Sequence, residues 1–253
     1  MPVASNSTIV EMGLVTEVAG DRLRGDAHVV PEILMPGTGA VRTSVLATWA
    51  DVLAGLLSTL TIAPSIPLTL DLEVQVHRPA TSGRDILGEA TMVKAGRSVV
   101  VCEVRFHERG DAVPFAVSHA SFMASPNPDH LQPEAGFERA MQDRRRLAVP
   151  LAERAGARVV APGRAEVPKR PDGLNAAGAI QGGLVALAAE EAAASCVDRP
   201  AWLSSLGLRY LRPFTVGPAL AEAEAFDDLC IVRVSDAGTG KLGALATARL
   251  SPA

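Results

Sequence analysis

The sequence predicts an α+β fold of two tandem domains, each an antiparallel sheet wrapped around one long central helix. Two long apolar segments with helical character, residues 42–60 and 181–197, occupy equivalent places in the two halves of the 253-residue chain. Each is followed by three or four strand-like runs, the clearest being the period-two alternation of LTLDLEVQVH at 68–77. VHRPATSG and YLRPFTVG place Arg78-Pro79 and Arg212-Pro213 at matching strand ends, where proline stops ladder pairing ahead of a glycine turn.

In chain order, the first half begins with a β-like lead, RLRGDAHVVP at 22–31, and a glycine-containing loop ahead of its helix. Strands are expected at Leu68–His77, Ile86–Val93, Ser98–His107 and Val113–Met123. The second half repeats the plan with the lead GARVVAPGRAEVP at 156–168, the helix, and strands at Leu203–Leu211, Ala219–Phe226, Leu229–Ser235 and Leu242–Leu250. Proline and charge fill the stretch between, SPNPDHLQPEAGFERAMQDRRRLAVP, which reads as a linker whose FERAMQDRRR portion is a solvated helix. The expected division is residues 1–125, a linker at 126–150, and 151–253.

A net charge of −4 with acids and bases interspersed leaves no basic stripe for a phosphate backbone, which argues against nucleic acid as a partner. Cys102, Cys196 and Cys230 are odd in number and widely spaced, so a reducing compartment is expected and the chain is read as cytoplasmic. The N-terminus lacks the basic start and apolar core of a secretory signal. Val45–Ala63 is nearly unbroken apolar sequence of bilayer-spanning length, but Asp51 lies near its middle, where a carboxylate is costly in lipid. A buried core helix, and no membrane, is the expectation.

The helices also carry chemistry. DGLNAAGAIQGGLVALAAEE, residues 172–191, sets Gly182-Gly183 at a helix mouth and Glu190 and Glu191 two turns inside. Arg42 to Asp51 and Gln181 to Glu190 are the same step along the chain, which matches Asp51 with Glu190 rather than Glu191. The order Asn-x5-(His/Gln)-Gly-Gly-x6-(Asp/Glu) is met by Asn175, Gln181, Gly182, Gly183 and Glu190; the first half adds Asp51, Arg78-Pro79 and the turn Gly96-Arg97. This set resembles the hotdog-fold acyl-CoA thioesterases of the phenylacetate-pathway and 4-hydroxybenzoyl-CoA type, over most of the chain, as two tandem hotdog domains standing in for the usual dimer.

The resemblance implies hydrolysis of an acyl-CoA thioester, with CoA entering as part of the substrate and no metal or redox cofactor. It also implies sites in which the helix-entry glycine and the carboxylate come from different halves. Distance supports this, since Gly182 and Glu190 lie about 12 Å apart along one helix and cannot both serve one carbon. One composite site then joins Asp51 to Asn175 and Gly182; the other joins Glu190, as second-site carboxylate, to Pro36 and Thr43. A free N–H at a helix N-terminus stabilises the charge that grows on a thioester oxygen, and Gly182 leaves that approach open. Asn175 would orient water or substrate, and Asp51 would deprotonate water or attack the thioester itself.

The resemblance further implies that Gln181, Gly183, Gly96 and Arg97 bind the substrate, with Arg97 on the CoA nucleotide phosphates. Gly96-Arg97 alone would be an ordinary hairpin turn, but the equivalent Asp227-Asp228 would repel phosphate. Pro36 offers no side-chain donor, so the Glu190 site is expected to be degenerate. Trp49, Leu46 and Leu53 suggest an apolar acyl pocket, although core packing demands the same residue types. The five histidines lack metal-ligand spacing, and neither helix entry holds one, which disfavours hydratase chemistry. A non-catalytic acyl-CoA-binding or ligand-sensing hotdog protein is the alternative, a purely structural duplication the third reading, and pairing of chains through their sheets stays open.

Overall fold

The computed structural model describes residues 7–132 and 146–253. Twelve strands form one antiparallel sheet in the order β1-β2-β4-β5-β6-β3-β9-β12-β11-β10-β8-β7. In the first half these are β1 (Val15–Ala19), β2 (Arg22–His28), β3 (Pro67–Val76), β4 (Asp85–Ala95), β5 (Val100–Glu108) and β6 (Ala116–Ala124). The second half supplies β7 (Arg158–Ala161), β8 (Arg164–Val167), β9 (Ala201–Tyr210), β10 (Ala219–Phe226), β11 (Leu229–Asp236) and β12 (Lys241–Pro252). Read outward from the centre, the two halves give the same order, so the duplication seen in the sequence is a duplication of topology. The halves join where β3 pairs with β9, Val74 opposite Leu206 and Asp71 opposite Arg209.

Two helices pack against this sheet: α2 (Thr43–Ile62) and α4 (Gly182–Ala194). The short α1 (Ser7–Glu11) and α3 (Leu151–Ala155) precede the opening hairpin of each half. α2 is long and apolar enough to span a bilayer, but Val45, Leu46, Trp49, Ala50 and Leu53 are sealed in the core that both halves share. Small residues let α4 come close: Ala186, Ala188, Ala189, Ala192 and Ala193 are fully enclosed. Burying such side chains is the main favourable term of the fold, at about 25 cal/mol per Å² of apolar surface.

Most expected elements lie where the alternation put them, and β10 coincides end for end. Two differences are physical. The single β-like leads are two-stranded hairpins, β1–β2 and β7–β8, because Gly20 and Gly163 take positive φ (68° and 72°) and turn the chain back. The second helix ends at Ala194 instead of 197, its last turn closed by the Ser195 N–H on Glu191 and Ala193 carbonyls. The helix expected in FERAMQDRRR falls outside the described residues, apart from Arg146.

Candidate active site

α2 and α4 run antiparallel, so the middle of each lies beside the N-terminus of the other. Ser44, Thr48 and Asp51 share one face of α2, being four and seven positions apart, and that face meets the first turn of α4. Gly183 makes the approach possible: a Cβ there would sit 2.0 Å from Thr48 Oγ1 and 2.8 Å from Thr48 Cβ. Gly183→Ala is expected to force the helices apart, destabilising the fold by about 1–3 kcal/mol and pulling Gln181 away from Asp51. Urea denaturation beside a rate assay checks both effects. Gly182→Ala should be milder, because its Cβ would meet only the Tyr210 ring and hydroxyl, at 3.1 Å or more.

Gln181 is the N-cap of α4. Its side-chain oxygen accepts the Gly183 N–H, and its Nε2 donates to Asp51 Oδ2 at 3.3 Å. The other carboxylate oxygen, Oδ1, accepts from Thr69 Oγ1 of β3 at 2.7 Å. Asp51 is half-buried, and desolvation pushes its pKa up to about 6, with the Thr69 hydrogen bond opposing the shift. Tyr210, at the end of β9, donates to the Gly182 carbonyl at 3.0 Å and so fixes the first turn of α4. Burial raises the Tyr210 pKa well above its ordinary value, and the nearby Asp51 charge adds to the effect. The Gly182 N–H has no acceptor within its own helix, as for any first residue, and Gly182 is partly accessible while Gln181 and Gly183 are buried.

Glu190 occupies the corresponding place on the other side of the pseudo-two-fold axis, with a different outcome. It is only 1% exposed. Its Oε2 accepts from Ser44 Oγ at 2.6 Å and from Arg42 Nη1 at 3.1 Å, while Oε1 takes the Ser44 N–H at 3.1 Å. Arg42 also pairs with Glu191 at 2.7 Å. The expected partners of Glu190 therefore change: Thr43 gives its hydroxyl to the Leu203 carbonyl instead, and no hydrogen bond joins Pro36 to Glu190. A carboxylate that caps a helix and neutralises a buried arginine has no free access to a ligand.

Residues 39–115, which carry α2 and the three strands after it, match the model of the thioesterase superfamily, under a third of the chain. No curated protein matches the sequence. Among solved structures, the chain is similar to a 12:0-ACP thioesterase from Umbellularia californica, with TM-score 0.69 and 10% identity over 94% of this chain and 100% of that one. It is also similar to an acyl-ACP thioesterase from Bacteroides thetaiotaomicron, with TM-score 0.62 and 9% identity over 91% and 98% of the two chains. A tesB protein from Mycobacterium avium subspecies paratuberculosis gives TM-score 0.59 and 14% identity over 97% and 99%. The fold is the hotdog fold.

Within this fold the remaining expected site residues are spread more widely. Asn175 shapes the entry loop: its Oδ1 accepts the N–H groups of Ala177 and Ala179, and no hydrogen bond links it to Asp51. Gln181, expected on the substrate, is the residue that touches Asp51. Gly96-Arg97 forms the β4–β5 turn, with Arg97 exposed. The row Thr69–Phe122–Val100–Ala95 across β3, β6, β5 and β4 puts that turn at the same end of the sheet as Asp51. Asp227-Asp228 lies at the opposite end, where Asp228 pairs with Arg249.

Trp49, Leu46 and Leu53 are 0–1% exposed and pack as core, so they line no open acyl pocket. A larger cleft of about 660 Å³ opens between the β1–β2 hairpin and the C-terminal half of α2, walled by Leu56, Leu60, Arg22 and Arg109; Asp51, Gln181 and Gly182 are not among its walls. Among the described residues, no cluster of three His, Cys, Asp or Glu side chains could hold a metal ion.

Thr69 and Tyr210 are the two residues at the site that sequence reasoning missed. The duplication held a signal for both. Aligning the two Arg-Pro pairs sets Thr69 against Leu203 and Tyr210 against Val76, so only one of the two ends carries hydroxyls at these positions.

Proposed function

We propose that the chain hydrolyses an acyl-CoA thioester at the composite site of Asp51 and the α4 N-terminus, one such site per chain. The observation that carries this reading is the reach of Gln181 across the halves: the N-cap of α4 holds the half-buried Asp51 carboxylate of α2 at the entry of α4, where Gly182 is partly accessible. Thr69 and Gln181 each occupy one carboxylate oxygen, fixing its orientation while leaving a lone pair on each. As general base, Asp51 takes a proton from water, the hydroxide attacks the thioester carbon, and the C–S bond breaks as the thiolate takes a proton. As nucleophile, Asp51 forms a mixed anhydride with loss of thiolate, which water then cleaves. In both routes the Gly182 N–H and the positive end of α4 meet the oxygen on which negative charge develops. Glu190, enclosed and neutralised by Arg42, takes no part.

Both routes need ionised Asp51, which fixes the pH dependence. With a folded pKa of about 6, kcat/KM should fall tenfold per unit below pH 6 and level off above it. A profile flat down to pH 4.5 would exclude Asp51 as the titrating group. The activity itself is tested by release of free thiol from a panel of acyl-CoAs of different chain length. Turnover is the expected result; saturable binding of every member without thiol release would favour a ligand-sensing protein instead.

A further inference from the structure

The arginines of the two Arg-Pro corners have different surroundings. In the first half, Arg78 is neutralised within the fold, donating to Glu108 at 2.8 Å and to Asp111 at 2.8 Å. Glu108 closes β5 and Asp236 closes β11, so in the second half Asp236 and Thr239 stand where Glu108 and Asp111 stand in the first. Asp236 is turned inward: its carboxylate accepts the N–H groups of Thr215, Val216 and Gly217, at 2.8 to 3.0 Å. Thr239 brings a hydroxyl in place of a charge. Arg212 thus keeps an exposed guanidinium that forms no ion pair among the described residues. Lys241, the first residue of β12, is likewise exposed and unpaired.

Arg212, Lys241, Thr215 and Thr239 line a cleft of about 200 Å³ with Asp236 at its base. Lys169 adds a third cation close by, its Nζ donating to the Thr215 carbonyl at 2.6 Å. This cleft adjoins the reaction site. Arg212 lies two residues beyond Tyr210, whose hydroxyl holds Gly182, and the Ile180 N–H donates to the Phe214 carbonyl at 3.0 Å. The 212–215 loop therefore runs along the approach to Gln181 and Gly182. The corner that carries the neutralised Arg78 is tied to the α2 entrance two residues on, where the Val41 N–H donates to the Ala80 carbonyl at 2.8 Å. Arg212 and Lys241 thus place two unpaired cations on the side of the carboxylate that is only half-buried.

We propose that Arg212 and Lys241 bind the phosphate of a 4′-phosphopantetheine arm, the thiol side of the substrate, in the cleft between the 212–215 loop and the β11–β12 turn. This rests on the thioester hydrolysis proposed above. A guanidinium and an ammonium flanked by two hydroxyls match a phosphate ester in charge and in hydrogen-bond donors, and the Asp236 oxygens are already engaged by three backbone amides. CoA and a carrier protein's prosthetic group both carry this arm.

The test is an Arg212→Gln/Lys241→Gln double variant assayed with one acyl group on CoA, on 4′-phosphopantetheine, on a carrier protein and on pantetheine. Loss of two charge-assisted contacts should lower kcat/KM about 10- to 100-fold on every phosphate-bearing substrate and leave the pantetheine ester within about twofold. Equal loss on all four substrates, or none, would overturn the assignment. A loss confined to acyl-CoA would place the contact on the nucleotide and also overturn it; a loss confined to the carrier protein would do so by placing it on the carrier's surface. Calorimetric titration of free 4′-phosphopantetheine separates this idea from the proposed reaction. If no thioester is turned over, weaker binding by the double variant still supports the phosphate site, and unchanged binding rejects it.

Discussion

Arg42→Met should destabilise the protein by about 3–5 kcal/mol, the cost of breaking a buried ion pair by removing one partner. Arg42 is 2% exposed and Glu190 1%. Burial works against the Arg42 charge, and Glu190 and Glu191 outweigh it, so that the guanidinium is held more firmly protonated than usual. Without it two carboxylates remain near the α2 entrance with only Ser44 to satisfy them. The midpoint of urea denaturation at pH 7.5 should fall. Adding Glu190→Gln should recover part of the loss, since an amide can still meet Ser44 without a charge. A parent-like midpoint for Arg42→Met would mean that the cluster contributes little to the fold.

Asp51→Asn should keep the fold and lower turnover of an acyl thioester by about 10²- to 10⁴-fold, the usual range for loss of a general base, with a larger loss if the carboxylate is the nucleophile. Asparagine preserves the shape and can still accept from Thr69. Stability gives an independent check. Because the folded pKa of Asp51 lies above its unfolded value, its favourable contribution is complete below about pH 3.8 and is lost as pH rises through about 6. The variant should therefore melt higher than the parent at pH 8, with the difference closing by pH 4. A variant that is inactive and also unstable at pH 8 would point to a structural role for the carboxylate.

Much of the architecture is legible in the sequence because it rests on period-two alternation and on a repeat. The strands β5, β6 and β11 alternate cleanly, and the two Arg-Pro corners fix the ends of β3 and β9. β1 escapes that logic: VTEVA is an edge strand with a single buried residue, so its side chains carry no alternation to read. At the site, the register between helices was enough to pair Asp51 with the α4 entrance and Glu190 with the α2 entrance. It did not reveal which groups make the contacts. Gln181 meets Asp51 through its amide while its other end caps α4, and Ser44, rather than Thr43, meets Glu190. Such choices depend on side-chain direction across a helix interface, which spacing along one chain does not encode. Thr69 joins the site only because the sheet folds β3 back under α2.

The two carboxylates occupy matching positions on their helices and differ in every neighbour: Gln181, Thr69 and Tyr210 on one side, Arg42 and Ser44 on the other. The most direct test of that asymmetry is kcat/KM for Glu190→Gln beside Asp51→Asn, on one acyl-CoA at pH 8, with folded protein confirmed for each. Glu190→Gln should stay within a few-fold of the parent while Asp51→Asn falls by at least about 10². An inactive Glu190→Gln beside an active Asp51→Asn would contradict the site assignment, and two half-active variants would contradict the account of a single working site.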